Sequence, residues 1–221
     1  MTFDIRFKTP FNCIISGPSG SGKTTWVKNL LKFKGLLFDK EPKYVVLYYS
    51  MMQSVYTELK AEGLIDEMIH VSQSFPSAAE ISQKVHKFKD EGSLLIFDDM
   101  VTMLTSDFEN IFLNLSHHEN ASVVFMTQNL FYKDKVYRNI SLNTHYFVLM
   151  KNNRDSQQIS ILAKQICPGN SAYIVQSYKD ATQKPFSYLL LDFRPETPPT
   201  IRLRTDIFPV NNFPPKVYLE K

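Results

Sequence analysis

The chain has 221 residues, of which 43% are hydrophobic and 21% charged, with a formal net charge of +3. That balance excludes a disordered or fibrous protein, and the length suits one domain with a sizeable buried core. No apolar run approaches the roughly 18 to 20 residues of a membrane span, and Asp4, Arg6 and Lys8 interrupt the place where a signal peptide needs its apolar core, which puts the chain inside a cell.

Two cysteines, Cys13 and Cys167, are too few for a disulfide framework or a four-ligand zinc site and are expected as reduced, inert thiols. The net charge permits contact with nucleic acid but is smaller than the footprint of a dedicated DNA-binding domain, so charge alone decides nothing.

In chain order, the apolar run at 12–16 feeds a glycine-rich turn and then residues 24–34, where Trp26, Leu30, Leu31 and Phe33 punctuate lysines. This reads as strand, loop, helix. A strand is predicted at 44–49 and a short one at 68–71. Ser77 and Glu80 have capping-box spacing, which starts a helix that runs to about residue 89 and is closed by Gly92. A buried strand at 94–97 delivers Asp98 and Asp99; a helix around 108–115 and a strand at 122–127 follow. Strands at 146–150 and 188–191 flank a helix at 156–165. The alternation predicts an α/β fold, a mainly parallel sheet with helices on both faces, within a domain spanning 1–194. From Pro195 onward prolines interrupt every pattern, so 195–221 is expected as an extended tail over the surface.

Gly17-Pro18-Ser19-Gly20-Ser21-Gly22-Lys23-Thr24 fits the phosphate-loop pattern of glycine, four residues, glycine, lysine, and serine or threonine; Thr25 follows it. Three of the seven glycines fall in these eight positions, and a buried strand before and an amphipathic helix after supply the context the motif needs. Residues 17–25 are therefore candidates to bind nucleotide. Glycines let backbone N–H groups turn inward around a β-phosphate, Lys23 spans the β- and γ-phosphates, and the Thr24 hydroxyl faces magnesium. The cofactors implied are ATP and Mg2+.

Asp98 and Asp99 stand at the C-terminal end of an apolar strand, where α/β sheets place ligands. Asp98 is expected to order magnesium through water and Asp99 to polarise the attacking water. A strand end or a helix N-cap also accounts for aspartate there. Gln128 ends the next apolar strand and is a candidate sensor of the γ-phosphate, although loop polarity explains it too. Arg154, then Arg138, are candidates for an arginine finger supplied by a neighbouring subunit; surface arginine is the plainer reading of each. His117 and His118 lack a ligand partner at metal spacing. Lys28, Lys32 and Lys34, and Tyr132, Lys133 and Lys135, are basic pieces that suit either DNA phosphates or a solvated helix face.

Read in order, "GPSGSGKTT", "LLIFDDM", "SVVFMTQNLF" and "RNISLNTHYFVLMKNNRDSQQISILAKQI" resemble the FtsK–HerA superfamily of DNA-pumping ATPases, over residues 11 to 192. The likeness is to its viral genome-packaging branch, the poxvirus-type ATPases and their Maverick/Polinton-type relatives. The resemblance implies a RecA-like P-loop ATPase that forms a ring, threads double-stranded DNA and works with a capsid or portal-like protein, in host cytoplasm or nucleus or with the virion. It also implies Lys23 and Thr24 for nucleotide and magnesium, Asp98 for magnesium, Asp99 for water activation and Gln128 for γ-phosphate sensing. One departure stands out: relatives often carry an arginine before the "TQ" strand, where this chain has Ser116-His117-His118.

Rival readings fare less well on the sequence. A small nucleotide kinase needs an arginine-rich lid, a GTPase an asparagine-lysine-x-aspartate motif, and an ABC-type ATPase a serine-glycine-glycine signature, none of which is present. A nucleotide-gated scaffold that hardly hydrolyses ATP remains open at this point.

Overall fold

The computed structural model describes residues 4–72, 75–154, 157–209 and 214–220. In chain order its elements are β1 (Asn12–Ser16), α1 (Lys23–Lys32), the single turn α2 (Lys34–Leu37), β2 (Tyr44–Tyr49), α3 (Ser54–Ala61), β3 (Glu67–His70), α4 (Ala78–His86) and β4 (Ser93–Asp98). Next come α5 (Ser106–Asn110), a π-helical turn (Ile111–Leu115) and α6 (Ser116–His118), which follow one another directly. They are followed by β5 (Ala121–Thr127), α7 (Lys135–Leu142), β6 (Tyr146–Met150), α8 (Gln157–Ile166), α9 (Ser171–Ala181), β7 (Tyr188–Asp192), β8 (Leu203–Thr205) and β9 (Lys216–Tyr218). The predicted start of the α8 helix at Ser156 lies outside the described residues.

The nine strands among the described residues form one sheet in the order β3-β2-β4-β5-β1-β6-β7-β8-β9. The first six are parallel and the last three antiparallel to their neighbours. The central strands read as continuous apolar runs because they are buried on both faces. Alternate residues go to opposite sides: Leu95, Phe97, Val123 and Phe125 to one core, Leu94, Ile96, Val124 and Met126 to the other. Trp26, Leu30 and Leu31 of α1 and Tyr56 and Leu59 of α3 cover the second face. Ile81 and Val85 of α4, Phe108, Phe112, Tyr137, Ile140, Leu162 and Tyr178 cover the first. The fold is that of the RecA-like P-loop ATPases.

Local signals carried through where chemistry fixed them. Ser77 caps α4: its hydroxyl accepts from the Glu80 N–H at 3.3 Å while the Glu80 carboxylate accepts from the Ser77 N–H at 2.8 Å. Gly92, at φ +86°, makes the turn into β4. Cys13 is buried in β1, where burial pushes its thiol pKa up, so it is unreactive.

The expected surface tail differs. Leu203–Thr205 is a buried strand paired to β7, and Arg204 on it is buried against Asp192 at 2.7 Å. The sheet continues past residue 194, because a charged residue enters a core when an opposite charge is waiting there.

Candidate active site

Strand register sets the site. Ser16 is level with Thr127, and Asp98 is level with Tyr49 on one side and Met126 on the other. The residues that leave these parallel strands at their C-terminal ends therefore emerge at one rim, the place where open α/β sheets take ligands. Gly17, Gln53, Asp98, Asp99 and Gln128 all come from it.

The loop after β1 is held close to the sheet. The Gly17 N–H donates to the Thr127 carbonyl at 3.1 Å, and a Cβ on Gly17 would sit 2.5 Å from the Met150 Cβ and 2.7 Å from the Ser21 Oγ. No side chain fits there. Gly22, at φ +98°, turns the chain into α1, whose N-terminal N–H groups face the cleft. Lys23 Nζ donates back to the carbonyls of Gly17 at 2.6 Å and Pro18 at 3.2 Å. Burial lowers its pKa, and the charges of Asp98 and Asp99 oppose that shift.

A cleft of about 380 Å³ opens over this loop, lined by Ser19, Gly20, Lys23, Thr24, Thr25, Gln53, Asp98, Asp99 and Gln128, among others. Asp98 is 4% exposed. Its carboxylate accepts from the Gln53 amide at 3.0 Å and from the Tyr56 hydroxyl, and the Thr24 hydroxyl donates to the Gln53 carbonyl oxygen at 3.4 Å. Burial raises the Asp98 pKa, with the Tyr56 hydrogen bond and Lys23 working against it. Burial also raises the pKa of Tyr56, so its hydroxyl stays a donor.

Asp99 sits one residue on, exposed, with φ +54°. Its N–H donates to the Met126 carbonyl at 3.2 Å, and its own carbonyl accepts from the Ser50 hydroxyl at 3.2 Å. That conformation, one aspartate tolerates better than most residues, turns its side chain away from Asp98 toward Gln128. The Gln128 amide donates to the Asp99 carboxylate at 2.8 Å.

The residues present fit magnesium. Thr24 and Asp98 offer oxygen only, the donor set of a hard cation, and both reach the same Gln53 amide. A buried acid whose charge is disfavoured is also one that a cation would restore. Among the described residues no group of three or more histidine, cysteine, aspartate or glutamate side chains is placed to hold a metal unaided. A magnesium ion here would thus complete its shell with phosphate oxygens and water, its usual habit.

The other predicted residues divide. Pro18, Ser19, Gly20 and Ser21 line an adjoining groove of about 540 Å³ with Lys151, Asn153 and Arg154, so Arg154 stands beside its own phosphate loop. Arg138 does not: it is exposed on α7 and lines a separate groove with Lys133 and Lys135. His117 and His118 are exposed at the end of α6. Lys28 pairs with Glu58 at 2.8 Å and Glu62 at 2.7 Å, Lys32 with Glu62 at 3.6 Å, and Lys34 with Glu41 at 3.1 Å. These three lysines already have acidic partners, which favours the solvated-face reading over DNA contact. Sequence reasoning missed Gln53 and Tyr56. Their signal was position, just past a strand that pairs with the one bearing Asp98.

The sequence profile of the family described as "Poxvirus A32 protein" matches residues 3–167. The chain belongs to the poxvirus A32 family. A search of curated proteins finds no match. Among solved structures, the genome packaging NTPase B204 from Sulfolobus turreted icosahedral virus 2, in complex with ATP-gammaS, is similar at a TM-score of 0.54 and 13% identity, covering 95% of this chain and 97% of that one. The KaiC-like protein PH0186 from Pyrococcus horikoshii OT3 has a TM-score of 0.47 and 11% identity, covering 96% and 91%. The cytoplasmic domain of the Thermomonospora curvata type VII secretion ATPase EccC has 0.48 and 11%, covering 96% and 24%. This A32-family member is a P-loop ATPase. No helix among its described residues is long and apolar enough to cross a membrane.

Proposed function

We propose that this A32-family ATPase is an ATP-driven translocase of double-stranded DNA that packages a viral or virus-like genome into a capsid, working as a homo-oligomeric ring. The observation that carries the hydrolytic half is the pair Asp99–Gln128, an exposed carboxylate and an amide 2.8 Å apart at the rim of the phosphate-loop cleft. A site built only to hold nucleotide has no need of a base opposite the phosphates.

In this reading Lys23 leaves the carbonyls of Gly17 and Pro18 for the β- and γ-phosphates, and the α1 N-terminus adds N–H donors. Thr24 and Asp98 would hold magnesium, which when bound would draw charge from the phosphate oxygens. Gln53 gives up its bridge between them, and Tyr56 keeps Asp98 oriented. Asp99 accepts a proton from the attacking water, and Gln128, released from Asp99, aligns that water with the terminal phosphate. Arg154 stabilises charge on the γ-phosphate. Arg138, remote from its own loop, reaches a phosphate only from a neighbouring subunit. The exposed lysines Lys133 and Lys135, which line a groove of their own, are assigned to duplex phosphates in the ring bore.

The test is steady-state phosphate release with and without duplex DNA over a salt series. Stimulation that declines steeply with salt supports a motor gripping backbone phosphates. Release that ignores DNA at low salt, or a protein that binds ATP without release, returns the reading to a nucleotide-gated scaffold.

A further inference from the structure

We propose that Phe186 is the platform on which the base of the nucleotide stacks, an assignment that rests on the nucleotide-binding reading of the phosphate loop. Phe186 lies in the turn between α9 and β7, is 67% exposed and has φ +60°. A bulky side chain in the left-handed region is strained, and strain of this kind is kept where a side chain must be aimed. The turn is pinned on both sides of the ring. The Lys151 N–H donates to the Ser187 carbonyl at 3.0 Å, the Ser187 hydroxyl to the Lys184 carbonyl at 2.5 Å, and Lys151 Nζ to the Gln183 carbonyl at 2.7 Å.

What the turn presents is an aromatic face at the phosphate loop. A Cβ on Gly22 would lie 3.3 Å from both Cβ and Cδ1 of Phe186, so the ring begins in van der Waals reach of the loop's last glycine. Phe186 lines both the cleft that contains the acids and the adjoining groove that contains Lys151 and Arg154. It is the one aromatic side chain among the described residues lining either. The acids and Gln128 make the cleft's polar end, suited to the terminal phosphate. The base at the other end of the nucleotide can stack on a π surface, and among the described residues lining the cleft and the groove Phe186 offers one. Because every base has a π face, stacking here adds affinity for any nucleotide and none for bare polyphosphate.

Isothermal titration of the full chain with ATP-gammaS and with inorganic tripolyphosphate separates these contributions. Phe186→Ala should weaken ATP-gammaS binding about tenfold, in line with base–aromatic stacking, and leave tripolyphosphate binding unchanged. Phe186→Trp should restore ATP-gammaS affinity, with indole fluorescence changing on binding. Phe186→Gly relieves the backbone strain, so its melting temperature should match or exceed that of the parent chain while ATP-gammaS binding falls as in Phe186→Ala. The proposal is overturned if Phe186→Ala binds ATP-gammaS like the parent, or if both ligands weaken equally. If the parent chain binds neither ligand, the phosphate-loop reading itself fails and this one with it.

Discussion

Replacing Asp99 by asparagine isolates the proposed chemical step. Asparagine adopts a positive φ at least as readily as aspartate, so the +54° backbone and its bonds to Met126 and Ser50 are kept. The asparagine carbonyl oxygen can still accept the Gln128 amide that now sits 2.8 Å from the Asp99 carboxylate. Folding stability should therefore stay within about 0.5 kcal/mol of the parent, as for exposed substitutions generally. Nucleotide affinity should hardly change, because Lys23, Thr24 and the loop N–H groups are untouched. What disappears is the base. General-base catalysis is worth about 10²- to 10⁴-fold, so turnover should fall by that factor, equivalent to about 2.7 to 5.4 kcal/mol on the barrier. Phosphate release at saturating ATP reads the turnover, and titration with ATP-gammaS reads the affinity. Turnover within tenfold of the parent, or an affinity loss as large as the turnover loss, would refute the role.

Three further outcomes follow from other parts of the molecule. Gly17→Ala forces a methyl group to 2.5 Å from the Met150 Cβ on a buried strand, so denaturant melts should show a loss of about 1 to 3 kcal/mol, and phosphate release should fall with the displaced loop. Asp192→Asn leaves Arg204, 1% exposed, without its counter-charge and should cost about 3 to 5 kcal/mol in a urea melt. Burial pushes the His145 pKa down to about 4 from the ordinary 6.5, with Arg194 and His117 adding to it; its Nδ1 accepts the Asn12 N–H at 2.9 Å. Between those values the unfolded chain binds the extra proton, so stability is full above about pH 6.5 and declines as pH falls toward 4. His145→Asn should flatten that part of the stability–pH curve.

The candidate rim could be read from the sequence because its pattern is local: a glycine pattern between strand and helix, and apolar strands that end in acid or amide. The bounds of β2 and β6 could be read from their apolar runs alone. Elements without such marks were missed. α3 and α9 have no side-chain hydrogen bond at their N-termini, and the buried face of α9, formed by Ile174, Ser177, Tyr178 and Ala181, carries a serine and a tyrosine that blur its apolar periodicity. β8 was hidden because Arg204 reads as a surface residue until Asp192, twelve residues away, is seen to meet it. Gln53 and Tyr56 were hidden for the same reason: they reach Asp98 across 45 and 42 residues, a pairing that only the β2–β4 register creates. Arg154 ranked ahead of Arg138 in sequence as a finger from a neighbouring subunit; of the two, Arg154 lines a groove with its own phosphate loop and Arg138 does not.

If hydrolysis at this loop moves the protein along duplex DNA, the enzyme should displace a labelled third strand from a duplex. Displacement should require ATP and magnesium, slow as salt rises, and vanish in Lys23→Ala, where the charge facing the β- and γ-phosphates is gone. DNA-stimulated phosphate release without displacement, or displacement that survives in Lys23→Ala, would contradict the translocase reading.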